Sequence, residues 1–388
     1  MPFEMVDEVL ATTRAVQRRV RLVPARVTVY LLLAGALFAE LGYRQVFDRL
    51  CAGLAGQAER QRVVAGPPAT GAAPLRALFD LVRGPVATVA AQTRWRGLLV
   101  VAVDGTLLSV PDAPENLTIF AKNRFAATGA DLLVRCKSGR RLPPVARCRD
   151  GSFLARLGTL TVRVIDAEIS IVTSQGSRTG HYRLLTTLTD PAEHPAAELI
   201  RLYHERWEIE TAYAELKSTI LGGRVLRART PAGVEQEVWA LLVAYQALRT
   251  AMTDATDSLP GTDPDRAGFT VALSAARDQL VLAAGVIADT VVDLVGVIGR
   301  HVLAQLLPKR RVRTKDRIVK RAISKYNARG PAIDRASYKA TISIHILTTP
   351  LTPPGPPQLN GVASSTATVL AVTGGQVGRW CGYGWGPC

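Results

Sequence analysis

The chain has 388 residues, 48% of them hydrophobic, which is ample for two domains or one large domain with a lobe and excludes a disordered tail. Lysine and arginine outnumber aspartate and glutamate by 48 to 32, and the resulting net charge of +16 points to a polyanionic partner, most simply nucleic acid. Five scattered cysteines (Cys51, Cys136, Cys148, Cys381 and Cys388) argue against structural zinc and for a reducing compartment. The longest apolar run, Val27 to Ala39, is shorter than the roughly 20 residues that span a bilayer, and acidic residues near Met1 argue against a secretory signal. The expectation is a cytoplasmic protein with no membrane segment, and the heavy use of Ala, Arg, Gly and Val suits a GC-rich bacterial genome.

From Phe3 to about Leu54 the apolar spacing is helical: Val6, Val9 and Leu10, then Val16 and Val20, with Pro24 as punctuation and a second segment from Val29 to Phe47. Arg14, Arg18, Arg19 and Arg21 lie between them, on a lobe that either docks on a DNA backbone or simply packs. Residues 1–60 are expected as an N-terminal helical domain and 61–95 as a linker followed by a helix from Pro74 to Val89. Arg96 to Thr106 reads as a buried strand closed by Asp104-Gly105. A carboxylate at that end of a sheet can take a metal, although Asp-Gly after a strand is commonly a turn alone.

Leu142 to Asp190 predicts strands: Gly158 to Ile165, Ala167 to Thr173 and Tyr182 to Thr187, with turns at Asp150-Gly151 and from Ser174 to Gly180. Asp112 in a proline-bounded turn, Asp131 at a strand start and Asp150 in an Asp-Gly-Ser turn all have structural readings. Asp190 is the expected N-cap of the next helix, with Pro191 in its first turn.

That helix, or one just after it, carries Tyr203-His-Glu-Arg-Trp-Glu-Ile-Glu-Thr-Ala-Tyr-Ala-Glu-Leu-Lys217. At about 100° per residue, Tyr203, Arg206, Glu210 and Lys217 share an arc of roughly 60°. Beside them runs the apolar stripe Leu202, Ile209, Tyr213, Leu216 and Ile220, while His204, Glu205, Glu208 and Glu215 point away. Taken singly, Glu205 or Glu215 reads as a solvated charge. Beyond Gly222-Gly223, Arg227 and Arg229 are candidate phosphate contacts. Pro231 opens a helix with core positions Val234, Val238, Leu241, Leu242, Tyr245 and Leu248, and Phe269 to Leu307 is helical again. Lys309, Arg310 and Arg311 open the densest basic run, expected to meet nucleic acid. Residues 346–388 read as a disordered tail.

Tyr-x2-Arg-x3-Glu-x6-Lys resembles, at all four positions, the signature of the IS-four family of insertion-sequence transposases. The resemblance implies an α/β fold: a ribonuclease-H-like catalytic core over 96–345, a β insertion at about 140–188 and the N-terminal helical domain. It implies two aspartates and a glutamate holding two Mg²⁺ or Mn²⁺ ions, of which Asp104 and Glu210 match the first and third. Tyr203, Arg206 and Lys217 would hold DNA phosphate. The partners implied are double-stranded DNA, as element ends and target, and a second copy of the chain in a homodimer on DNA.

In this comparison two strands, a helix and a further strand with the second aspartate are missing. Those elements need at least about 35 residues, and the room between Pro111 and Thr128 is about half of that. The expectation is therefore an incomplete core: an internal deletion of some seventy residues between Phe120 and Phe125, and a DDE transposase with impaired chemistry. The rival expectation is a non-catalytic DNA-binding remnant that occupies element ends or inhibits an intact transposase.

Overall fold

The computed structural model describes residues 1–17, 24–50, 70–83, 94–103, 131–136, 142–283, 294–308, 313–314, 336, 338–348 and 369–373. Its helices are α1 (Phe3–Thr12), α2 (Ala25–Leu37), α3 (Tyr43–Leu50), α4 (Ala73–Val82), α5 (Ala196–Glu205), α6 (Trp207–Ala214), a π-helical segment (Glu215–Ile220), α7 (Pro231–Asp257), α8 (Phe269–Ala283) and α9 (Leu294–Ala304). Its strands are β1 (Arg94–Trp95), β2 (Leu98–Val103), β3 (Asp131–Cys136), β4 (Pro144–Arg147), β5 (Phe153–Leu157), β6 (Leu160–Thr173), β7 (Gly176–Thr186), β8 (Arg313–Thr314), β9 (Tyr338–Lys339), β10 (Thr341–Ile346) and β11 (Val369–Thr373). The described residues fall into two compact units, one drawn from 1–90 and 210–309, the other from 91–105, 127–209 and 310–388.

The first unit is helical. In α1 the i, i+3, i+4 positions Val6, Val9 and Leu10 are buried, as their spacing requires. α2 starts directly behind Pro24, whose carbonyl accepts the N–H of Thr28 at 3.0 Å and its hydroxyl at 3.2 Å. α7 starts on Pro231 with the Thr230 hydroxyl accepting from the Gly233 N–H at 3.3 Å. Val6, Val9, Val29, Leu32, Leu75 and Leu78 share one core with Leu216, Ile220, Leu241, Leu248 and Phe269. The segment expected as a separate N-terminal domain thus packs with helices more than 200 residues away. The helix expected over Val29 to Phe47 breaks between α2 and α3, and its freed carbonyls are taken by later arginines: Arg277 Nε donates to Leu37 O at 2.6 Å.

Among its described residues the second unit holds a nine-stranded sheet in the order β1-β2-β11-β3-β7-β6-β5-β4, with β10 paired to β6, and the separate pair β8-β9. Every pairing is antiparallel. A two-residue turn closes β1 onto β2, with Arg96 (φ 49°) and Gly97 (φ 81°) both left-handed, as such hairpins demand. β6 and β7 form a long hairpin in register from Arg163↔Thr186 to Thr173↔Gly176, so the turn expected over Ser174 to Gly180 shrinks to Ser174-Gln175. The strands expected at Gly158 to Ile165 and Ala167 to Thr173 are one strand, and α5 buries Leu199, Ile200 and Leu202 in one cluster with Leu133, Ile165 and Leu184.

β11 comes from the segment expected to be a disordered tail. It runs antiparallel to both neighbours, Val369 opposite Val103 of β2 and Val134 of β3, so β2 and β3 are parallel to each other with a C-terminal strand between them. Two strand edges that would otherwise expose their N–H and C=O groups are paired in this way.

Asp190 does not cap α5. Its carboxylate accepts the N–H groups of Ala192 (2.7 Å) and Glu193 (3.3 Å) in a turn ahead of the helix, and the helix begins after Pro195. The Ala196 N–H is bound instead by Asp150 Oδ2 at 3.0 Å. Asp150 also accepts from Ser152 Oγ at 2.6 Å and pairs with Arg163, which is wholly buried and donates further to Ser152 Oγ (2.8 Å) and His194 O (2.6 Å). Burial opposes the charge on Asp150, but the Ser152 hydroxyl, the Ala196 N–H and Arg163 outweigh it and hold the carboxyl below its ordinary pKa.

A depressed pKa in the folded state means stability that is fully present above the unfolded value of about 4 and is lost as pH falls through the lower folded value. Urea unfolding followed across an acidic pH series is expected to show this loss. Asp150→Asn is expected to weaken the fold at neutral pH and flatten part of the acid limb; an unchanged acid limb would refute the assignment.

Candidate functional site

The run from Tyr203 to Lys217 is divided among α5, α6 and the π segment rather than lying on one even helix. α5 ends at Glu205, Arg206 occupies the break, and Ile209 N–H reaches back to Arg206 O at 3.1 Å, a tightened turn. Further on, Leu221 N–H bonds to Leu216 O at 3.1 Å and Gly223 N–H to Lys217 O at 2.8 Å, with Gly222 (φ 61°) and Gly223 (φ 71°) ending the element. Two departures from 3.6 residues per turn undo the even 100° step on which the shared arc rests. The apolar side survives: Leu202, Leu216 and Ile220 are buried and Ile209 and Tyr213 half-buried, while His204, Glu205 and Glu208 are exposed.

The four signature residues separate between the units. Tyr203 and Arg206 lie in the sheet unit, Glu210 and Lys217 in the helical unit. Tyr203 is 6% exposed and packs in the cluster of Leu199 and Leu202, with the Arg206 guanidinium 5.1 Å from its ring centroid. A phenol so buried backs the guanidinium by a cation–π contact, and Arg206 is half-buried. Glu210 on α6 and Lys217 in the π segment are also half-buried. Asp104, Lys309, Arg310 and Arg311 lie outside the described residues, as does Asp112.

Arg227, expected as a phosphate contact, is committed to the fold. Its Nε donates to Leu41 O (2.9 Å), Nη2 to Gly35 O (2.9 Å) and Phe38 O (2.7 Å), and Nη1 to Glu237 Oε1 (3.1 Å), with its plane over the Tyr43 ring. It closes the C-terminal end of α2, whose carbonyls need donors. Arg229 is exposed and keeps the expected role open.

Glu215, read from sequence as solvent-facing, is turned inward: its side chain is 14% exposed, accepts from Tyr245 Oη at 2.8 Å and lies 3.8 Å from Arg249. The local sequence hides this, because on an even helix Glu215 falls on the same side as Glu208. Asp131 accepts from Thr187 Oγ1 at 2.8 Å and Asp150 is held by Arg163, so both carboxylates have the structural roles expected of them. Among the described residues no three His, Cys, Asp or Glu side chains gather to hold a metal ion.

Two family profiles match the chain: "Insertion element 4 transposase N-terminal" over residues 1–80 and "Transposase DDE domain" over 135–247, the second containing Tyr203, Arg206, Glu210 and Lys217. The transposase InsG for insertion sequence element IS4 of Escherichia coli (strain K12) is 23% identical over 405 residues, covering 83% of this chain and 91% of the relative. The chain is similar to the transposases of the IS-four family. In that family setting the mixed α/β architecture, with its antiparallel sheet and the helix of the signature glutamate, corresponds to a ribonuclease-H-like transposase domain. No helix among the described residues is long and apolar enough to cross a membrane.

Proposed function

We propose that this chain is a DDE-class DNA transposase by descent, built for metal-dependent cleavage and transfer of insertion-sequence ends, and that this copy has lost the block carrying its second catalytic aspartate. One observation carries the second half. The 405 aligned positions span only 83% of the 388 residues, about 320, so about 80 positions of the relative have no counterpart here. That total is close to the size of the block expected to be missing, and the DDE profile begins only at residue 135, C-terminal to the stretch where that block is expected.

The residues present do not fit a two-ion site. Two ions about 3.5 to 4 Å apart need several carboxylate oxygens, and Asp104 and Glu210 supply only two carboxylates. What the chain keeps is its grip on DNA: Arg206, Lys217 and Arg229, with Lys309, Arg310 and Arg311, are assigned to phosphate, with Tyr203 behind Arg206. The net charge of +16 supports that reading and predicts strong salt dependence. The same missing block favours a second reading, a non-catalytic remnant that occupies element ends, alone or paired with an intact copy as a homodimer on DNA.

The deciding assay combines the purified chain with duplex carrying the terminal inverted repeats and Mg²⁺ or Mn²⁺. Salt-sensitive binding with trace nicking that disappears in Glu210→Gln is the expected result. Nicking that survives Glu210→Gln would remove Glu210 from the site, and binding without any nicking would leave only the remnant.

A further inference from the structure

The π segment is the least regular piece of the signature region. π-helical turns are rare, cost more than the α-helical alternative and recur at functional sites, so something must hold this one in place. Leu216 and Ile220 anchor its apolar side in the helical core. On its polar side Glu215 is tied to the next helix: Tyr245 and Arg249, one turn apart on α7, both address that carboxylate. Tyr245 is in turn set by the Phe269 ring of α8, 5.3 Å between centroids. All of these residues belong to the helical unit, together with Glu210 and Lys217.

We infer that Glu215 is a positioning residue: by tying the wide turn to Tyr245 and Arg249 it sets the angle at which Lys217 is presented relative to Glu210. Without that tie the segment relaxes toward α-helical spacing, which rotates Lys217 about the helix axis and returns Glu215 to the solvent side where sequence spacing alone would put it. The inference rests on the proposed role of Lys217 as a phosphate contact, and it adds a residue that the four-position signature does not contain.

The test measures binding of a labelled duplex carrying the terminal inverted repeat across a salt series. Lys217→Ala is expected to weaken binding about tenfold and to lower the salt slope by about one. Glu215→Gln and Tyr245→Phe are each expected to weaken it about three- to tenfold with the same fall in slope, and to add nothing in the Lys217→Ala background. A merely structural Glu215 would give additive losses and an unchanged slope, which overturns the inference. Tyr245→Phe keeps the ring contact with Phe269, so it carries the test if Glu215→Gln fails to fold. If Lys217→Ala itself changes nothing, the phosphate role of Lys217 fails first; if Lys217→Ala lowers the slope and the other two do not, only the positioning role fails.

Discussion

Glu237→Ala is expected to lower the stability of the helical unit by about 3 to 5 kcal/mol, the usual cost of stripping one partner from a buried ion pair. Glu237 is 4% exposed and accepts four hydrogen bonds from three donors: the Arg227 N–H at 2.8 and 3.0 Å, the Ala228 N–H at 3.0 Å and Arg227 Nη1 at 3.1 Å. Removing it leaves two backbone N–H groups and a guanidinium without their acceptor, in a place where water has little access. Urea unfolding followed by circular dichroism measures the loss. Arg227→Ala is expected to cost a similar amount and, combined with Glu237→Ala, much less than the sum, because both remove the same clasp. The same pair of variants settles the competing role of Arg227. A phosphate contact would lower the DNA salt slope and leave stability untouched, and that outcome would refute the structural assignment.

Restoring the block proposed to be missing is expected to have the largest effect on function. On the proposed reading, inserting between Phe120 and Phe125 the stretch of about 80 residues by which the Escherichia coli relative exceeds this chain would supply the second acid and the strands around it. Metal-assisted stabilisation of a phosphoryl-transfer transition state is worth several kcal/mol, and each 1.36 kcal/mol is a factor of ten in rate. Mg²⁺-dependent cleavage of repeat-bearing duplex is therefore expected to rise at least about a thousandfold. A control graft with its aspartates changed to asparagine is expected to stay at the starting level. A graft that folds and binds DNA but cleaves no faster would show that the block is not what this copy lacks.

The sequence alone decided whatever depends on residues close together in the chain. Val6, Val9 and Leu10 at helical spacing, Pro24 and Pro231 at helix starts, and the Asp150-Gly151 turn follow from local sterics and hydrogen bonding, and all appear where that spacing puts them. The family was legible for the same reason, since Tyr203, Arg206, Glu210 and Lys217 keep fixed gaps along 15 residues of chain. The charge balance likewise needs no fold to point at DNA.

Other assignments had to wait for distant partners. Arg227 and Arg229 look alike in sequence, yet only Arg227 meets the open carbonyl end of α2, almost 190 residues earlier, and so only Arg227 is taken from solvent. Glu215 counts as a surface charge until Tyr245 and Arg249 approach and the turn widens around it. The five residues of β11, Val369-Leu-Ala-Val-Thr373, are a short apolar run inside a Pro-, Gly- and Ser-rich stretch, and what seats them as a strand is the place between β2 and β3 whose backbone groups they pair. A hydrogen bond or ion pair is worth something only once its second half arrives, and for these residues the second half comes from far along the chain.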